Sequence, residues 1–240
     1  SGSDAELLTP LLTRTSPRNT SPTTRDLMRR MVLSSARKPS GEDIEAMLNA
    51  RFDLVYALGA LDEHADFVRR LPGVEGPQRA REARIDLEFA AGNLANACAN
   101  ARSGSQMTPY LLNARAVCFA LEGNASQAEL ALEFARAEGR QDPWLITAVA
   151  AIDAPEGVSK PNARFDTGLK SALSVAGELP IAINALASAN PGIAALLAER
   201  RDVSRDIRIQ AADAAAVAGL IDENTHRRAY RRDPEPVNIV

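Results

Sequence analysis

Four times along this chain a helix-forming run closes on a glycine and a second helical run follows: Arg51 to Gly59, Arg84 to Gly92, Arg115 to Gly123 and Ala212 to Gly219. Gly59, Gly92 and Gly123 are spaced by 33 and 31 residues, and Gly219 lies 96 further on, three units of 32. A repeat of this length is the mark of a stacked helical-hairpin solenoid. Each unit would be a helix stopped by glycine, which enters the left-handed conformation cheaply, then a second helix folded back on the first. A lone hairpin cannot cover its apolar stripe; its neighbour in the stack covers it. The expected fold class is therefore all-α.

The first two copies align without a gap from Arg51 to Arg69 against Arg84 to Arg102. Identities fall at Asp53/Asp86, Leu54/Leu87, Ala57/Ala90, Gly59/Gly92 and Leu61/Leu94, and at both ends of the stretch. With 45% hydrophobic residues among 240, the chain can bury a large core. Only 4% are aromatic, so that core is built from Ala and Leu with a few anchors such as Phe67, Phe119, Phe134 and Trp144. Strand signals are nearly absent, no run of 18 apolar residues occurs, and no signal peptide is visible.

Helix starts are marked by a side-chain oxygen before proline at Ser21-Pro22, Thr108-Pro109, Asp142-Pro143 and Asn190-Pro191. Ser40 with Asp43 resembles a capping box. These signals predict helices near 22–36, 42–58, 62–71, 77–91, 94–103, 109–122, 125–138, 143–153, 166–177, 180–189, 191–200, 204–218 and 223–231. The organisation read from them is an extended N-terminal arm (1–21), a first series of helical repeats (22–153), a linker loop (154–165), a C-terminal series (166–232) and an extended tail (233–240) whose last residues include Val237, Ile239 and Val240.

The pattern Leu-x-x-Ala/Leu-Gly, followed five positions later by Ala97 and Ala128, with His64 in that place in the first copy, resembles a degenerate form of the tetratricopeptide-repeat (TPR/Sel1-type) superfamily. The likeness covers 51–139 and, more weakly, 204–231. In texture the chain is also similar to solenoid proteins exported by alphaproteobacteria. The resemblance implies a right-handed α-solenoid of TPR-like helical hairpins. It also implies a concave partner-binding groove, lined here by Asp53, Tyr56, Glu63, Asp86, Phe89, Asn93, Asn96, Asn124 and Gln127 together with Ala60, Val117 and Ala120. No lysine or arginine occupies these positions, so the likeness does not extend to versions that clamp a C-terminal carboxylate. Asn and Gln pair instead with both N–H and C=O groups of an extended backbone, and the carboxylates select a basic ligand.

Enzymatic and metal-binding patterns are thin. His64 and His226 stand in separate helices, and neither His-x-x-x-His nor Cys-x-x-Cys occurs, so no metal is expected. Gly73, Gly76 and Gly104 form no phosphate-cradling loop, and Gly-x-Ser-x-Gly is absent. Acidic pairs such as Glu42/Asp43 and Asp62/Glu63 fit helix starts, where they offset the dipole. No catalytic residue, cofactor or small-molecule substrate is assigned, and His64 reads as a packed core histidine.

Cys98 and Cys118 fall in helices that would lie side by side. Two buried thiols are the favoured reading, with a disulfide, and with it an oxidising compartment, as the alternative. Charge is uneven although the net is −3. A basic arm, Arg14, Arg18, Arg25, Arg29, Arg30, Arg37 and Lys38, faces only Asp26 between residues 14 and 38. Without interleaved aromatics it does not read as a nucleic-acid binder. It suits an acidic face, such as the groove, better. Arg227, Arg228, Arg231 and Arg232 end the last helix, where cations meet the dipole favourably.

The expected function is a non-enzymatic scaffold or adaptor that holds partner proteins, with possible homo-oligomerisation, in a bacterial multi-protein assembly. A periplasmic setting such as a flagellar basal body accessory is preferred to a cytoplasmic one. The alternative is the helical superstructure of a cell-wall enzyme, such as a lytic transglycosylase, without its catalytic domain.

Overall fold

The computed structural model describes residues 4–17, 20–34, 40–41, 44–69, 75–103, 107–139, 142–152, 154–155 and 157–231, with backbone alone at 68 and 75–77. Arg18, Arg37, Lys38, Glu42, Asp43, Gly73, Gly104, Arg232 and the 233–240 tail lie outside the described residues. The protein is all-α. Helices α1 (Ala5–Arg14) and α2 (Pro22–Leu33) precede three successive hairpins: α3 (Ile44–Ala57) with α4 (Leu61–Arg69), α5 (Glu75–Ala90) with α6 (Leu94–Arg102), and α7 (Pro109–Leu121) with α8 (Ala125–Ala137). There follow α9 (Pro143–Ala150), α10 (Gly168–Ala176), α11 (Pro191–Glu199), α12 (Arg205–Val217) and α13 (Glu223–Tyr230). Among the described residues the one strand-like feature is an isolated bridge between Asp4 and Ser40.

The four repeat glycines end their helices in one and the same way. All have positive φ, from +72° at Gly219 to +82° at Gly92. In each case the next residue's N–H reaches the carbonyl five positions back: Ala60 to Val55, Asn93 to Glu88, Asn124 to Phe119 and Leu220 to Ala215, at 2.8–3.3 Å. This 6→1 bond satisfies a carbonyl that the helix leaves open and turns the chain into the second helix. The four proline-marked starts are equally regular. Ser21, Thr108, Asp142 and Asn190 each accept a backbone N–H through their side chains, with proline at the first helical position.

Two sequence expectations are corrected. The segment 1–21 is not an extended arm, because Ala5–Arg14 is helical. Asp4 caps it, the Thr9 and Thr13 hydroxyls donate back to the carbonyls of Ala5 and Thr9 at 2.8 Å, and Ala5, Leu8 and Leu12 turn inward at helical spacing. A Thr- and Pro-rich composition concealed this stripe. The helix expected over 180–189 is reduced to a 3₁₀ turn, Ala185–Ser188, since Asn184 adopts φ 62° and breaks the run.

Successive helices pack side by side from α3 to α8, with α1 and α2 laid on α3. The C-terminal helices do not extend this series. α10 and α11 fold back onto α5, and α10 also meets α7. One core therefore joins the two halves: Phe89 of α5 and Leu111 of α7 share a cluster with Phe165, Leu173 of α10, and Ile193 and Leu197 of α11. A smaller cluster, Val32, Leu54, Val55, Leu58 and Ala60, fixes α2 to the first hairpin, with Leu12 of α1 packed against it. Lys170 ties the start of α10 to the α9 cap through an ion pair of 2.9 Å to Asp142, and pairs locally with Asp166 at the same distance.

Candidate functional site

The inner helices of the three hairpins carry the residues expected to line a groove, and the first two are occupied by the chain's own C-terminal half. At the centre is Asp86 of α5, only 8% exposed. Its carboxylate accepts four hydrogen bonds: from the backbone N–H of Gly168 at 2.9 Å and of Leu169 at 3.0 Å, and from the hydroxyls of Tyr56 at 3.0 Å and Tyr110 at 3.1 Å. Gly168 and Leu169 open α10, so a carboxylate from one half of the chain caps a helix of the other, where the dipole favours negative charge. Thr167 serves the same helix end through Lys170 N–H. Burial pushes the Asp86 carboxyl above the usual carboxylate range against the opposing pull of its four donors. Burial, then the neighbouring Asp86 charge, raises Tyr56 and Tyr110 well above the ordinary phenol value, so both remain donors.

Close backbone approach makes this seat possible. A Cβ on Gly168 would collide with the Asp86 carbonyl oxygen, so no other residue fits there. One repeat earlier, α11 enters at the end of α3. Asn190 donates its side-chain amide to the Tyr56 carbonyl at 2.8 Å, and a Cβ on Gly59 would lie 2.5 Å from Gly192 N. At the end of α5 the Arg200 guanidinium covers Gly92 and donates to the Ala90 carbonyl at 3.3 Å. Among the described residues, nothing lies within 4 Å of where a Cβ on the third repeat glycine, Gly123, would stand. The C-terminal half thus covers the first two hairpin glycines, and no described residue covers the third.

The expected groove residues therefore separate into two sets. Phe89, Ala60, Val117 and Ala120 are buried, Asp86 is capped in the interior and Tyr56 points its hydroxyl inward, so these six do not line an open surface. Asp53, Asn93, Asn96, Asn124 and Gln127 are exposed, and Glu63 is partly so. Glu63 has a partner from the basic segment of the same molecule, since Arg29 of α2 forms an ion pair with it. Arg25 is buried instead, donating to the Pro17 carbonyl at 2.7 Å, Arg30 pairs with Asp26 on its own helix, and Arg14 is exposed at the end of α1. His64 is a core residue, 5% exposed and packed in a tilted ring contact on Phe52 with centroids 3.7 Å apart; burial lowers its pKa to about 4.

Cys98 of α6 and Cys118 of α7 are joined in a disulfide, with Cα atoms 5.6 Å apart, which replaces the favoured reading of two thiols. The hairpin series brought their helices together as expected, and sequence could not fix the Cα separation. Sequence reasoning missed a surface cluster on α12 and α13. Asp213 Oδ1 lies 2.8 Å from His226 Nε2 and accepts from the Tyr230 hydroxyl at 2.7 Å. The spacing of His226 and Tyr230, one helical turn apart, was its available signal. Among the described residues no group of three His, Cys, Asp or Glu side chains is placed to hold a metal ion, and no helix is long and apolar enough to cross a membrane.

These contacts define an all-helical protein whose repeated hairpins are closed on their inner side by its own C-terminal helices. No family model, curated protein or solved structure matches the chain.

Proposed function

We propose that the chain is a non-enzymatic scaffold or adaptor, a right-handed α-solenoid of degenerate TPR-like hairpins that holds partner proteins within a bacterial multi-protein assembly. The observation that carries this reading is the repeated glycine-ended hairpin, four copies with one hydrogen-bond pattern. Such repeats create extended surfaces rather than enclosed reaction sites. The Cys98–Cys118 bridge supports an oxidising compartment, for which the bacterial periplasm is the natural setting.

Because Asp86 and Phe89 serve the chain's own interior, the partner-binding face assigned to this function is the exposed polar row Asn93, Asn96, Asn124 and Gln127, together with Asp53. Side-chain amides there can both donate to and accept from the backbone of an extended partner segment. The test is cross-linking in cells followed by identification of stoichiometric partners, repeated with Asn93, Asn96, Asn124 and Gln127 all replaced by Ala. Loss of the partners at unchanged helicity supports the reading. Partners captured equally by both forms move the binding face elsewhere, and the absence of any stoichiometric partner overturns the scaffold role.

A further inference from the structure

Helix α6 (Leu94–Arg102) closes the second hairpin with little apolar surface of its own. It has nine residues, and the side chains it buries completely are those of Ala97 and Ala101, with Cys98 8% exposed and Leu94 partly buried. Its counterparts carry more: α4 buries Leu61 and His64, while α8 runs to 13 residues and packs Leu132 against the core as well. A free helix of this length is marginal in water, so α6 stays helical only while it is docked. Its start adds little, because the Asn93 side chain makes no capping hydrogen bond.

The polar ties of α6 lie at or near the surface. Asn100 donates to the Glu88 carboxylate of α5 at 3.0 Å, and Arg102 pairs with Glu122 at 2.6 Å while lying over the Phe119 ring. Arg81 of α5 and Arg115 of α7 donate to the Asn100 and Ala101 carbonyls at 2.6 and 2.8 Å, taking up acceptors that the helix end leaves open. Water replaces such bonds when the helix lifts away, and exposed ion pairs contribute little. The disulfide is stronger than any of these. It joins Cys98, in the middle of α6, to the wholly buried Cys118 of α7 across 20 positions. Closing a loop of that length favours the tethered arrangement about a hundredfold. Helix α7 has its own anchors, since Leu111 and Val117 are buried in the main core.

We infer that α6 docks on the hairpin series only when the Cys98–Cys118 bridge has formed, so that oxidation completes the second hairpin. The bridge locks one helix rather than bracing the whole fold, and the inference stands on packing without the scaffold reading. The oxidant is a disulfide donor. Cys98, the more exposed of the two, attacks the donor as a thiolate and forms a mixed disulfide; the Cys118 thiolate then attacks the Cys98 sulfur and displaces the donor. Two electrons and two protons pass to the donor, which leaves as a dithiol. Asn96 is carried on α6 and Asn93 immediately precedes it, so both take their places in the exposed row only after this step.

Hydrogen exchange read by mass spectrometry tests the proposal on the oxidised chain, on the same chain reduced by a trialkylphosphine, and on Cys98→Ala with Cys118→Ala. A peptide covering 95–103 should exchange about a hundredfold faster after reduction, while peptides from α10 and α11 keep the rates of the oxidised chain. The double variant should match the reduced chain, and iodoacetamide should label Cys118 as well as Cys98 in native buffer once the bridge is reduced. Protection of 95–103 that survives reduction overturns the proposal, whatever the variant shows, since packing alone would then dock the helix. So does an acceleration shared equally by α6, α10 and α11, which would make the bridge a brace for the fold as a whole.

Discussion

Replacing Asp86 by alanine would leave four donors in the interior facing a space with no acceptor. Two are the backbone N–H groups of Gly168 and Leu169, held in place by α10, and two are the hydroxyls of Tyr56 and Tyr110. A buried donor left unpaired costs about 1–3 kcal/mol. The two N–H groups cannot turn away and carry the full penalty, whereas the hydroxyls rotate; Tyr56 already lies 3.4 Å from the Asp166 carbonyl. Relief of the carboxylate's own desolvation offsets part of the loss, as the raised pKa of Asp86 indicates. The net expectation is a destabilisation of about 3–5 kcal/mol for Asp86→Ala. Asp86→Asn keeps the shape but aims an NH2 group at two donors, and should cost about 2 kcal/mol. Tyr110→Phe should cost about 1 kcal/mol in the parent and close to nothing in the Asp86→Ala background. Urea unfolding followed by circular dichroism measures the parent and the four variants. If Asp86→Ala falls within about 1 kcal/mol of the parent, or the Tyr110 effect is the same in both backgrounds, the carboxylate does not join the two halves as described.

Three further outcomes are expected. Gly123→Ala should cost about 1 kcal/mol, the left-handed penalty alone, whereas Gly59→Ala adds a collision with Gly192 and should cost at least about 2 kcal/mol more; equal thermal shifts would mean that the contact at Gly59 is not tight. His64 has its pKa lowered by burial from 6.5 to about 4, so the unfolded chain binds the additional proton between these values. Its contribution is therefore intact above pH 6.5 and is lost as pH falls toward 4, by up to about 3 kcal/mol; denaturation curves across that window should lose this component in His64→Phe. Non-reducing mass spectrometry should find the Cys98 and Cys118 peptides linked, and Cys98→Ala with Cys118→Ala should lower stability by about 3 kcal/mol for a loop spanning 20 positions; two freely alkylated thiols would refute the bridge.

The hairpins were legible because their determinants are local. A glycine that must take positive φ, and an Asn-Pro or Thr-Pro pair that must begin a helix, act within six residues, and the sequence displays them directly. What escaped reading was decided at long range. Nothing near Asp86 announces that Gly168, 82 positions away, will present its N–H there, and Gly168 looks like any glycine at a helix start. The groove positions around Asp53, Asn93 and Asn124 came from counting along a repeat, which finds the helix face and is blind to what later covers it. For that reason the count groups Asp86, Phe89 and Tyr56 with residues that remain outside. At the N-terminus the error was compositional: Thr9, Pro10 and Thr13 suggested an irregular segment, while Ala5, Leu8 and Leu12 carried a helical stripe.

The seating of α10 and α11 on α5 and α3 also sets an order of events during synthesis. Residues up to 139 emerge first and can build every turn of the three hairpins from local contacts, yet the surface around Phe89 and Asp86 stays wet until residues 168–200 arrive. Through that interval the nascent chain displays an unfilled apolar trough with a charged carboxylate in it, the kind of surface that invites aggregation or a chaperone. Closure then depends on contacts more than 80 residues apart, a slow step compared with hairpin formation. A pause in translation or export after residue 139 would prolong the vulnerable state, and a ribosome-bound chain halted there should be far more sensitive to protease than one halted beyond residue 200 and fully outside the exit tunnel.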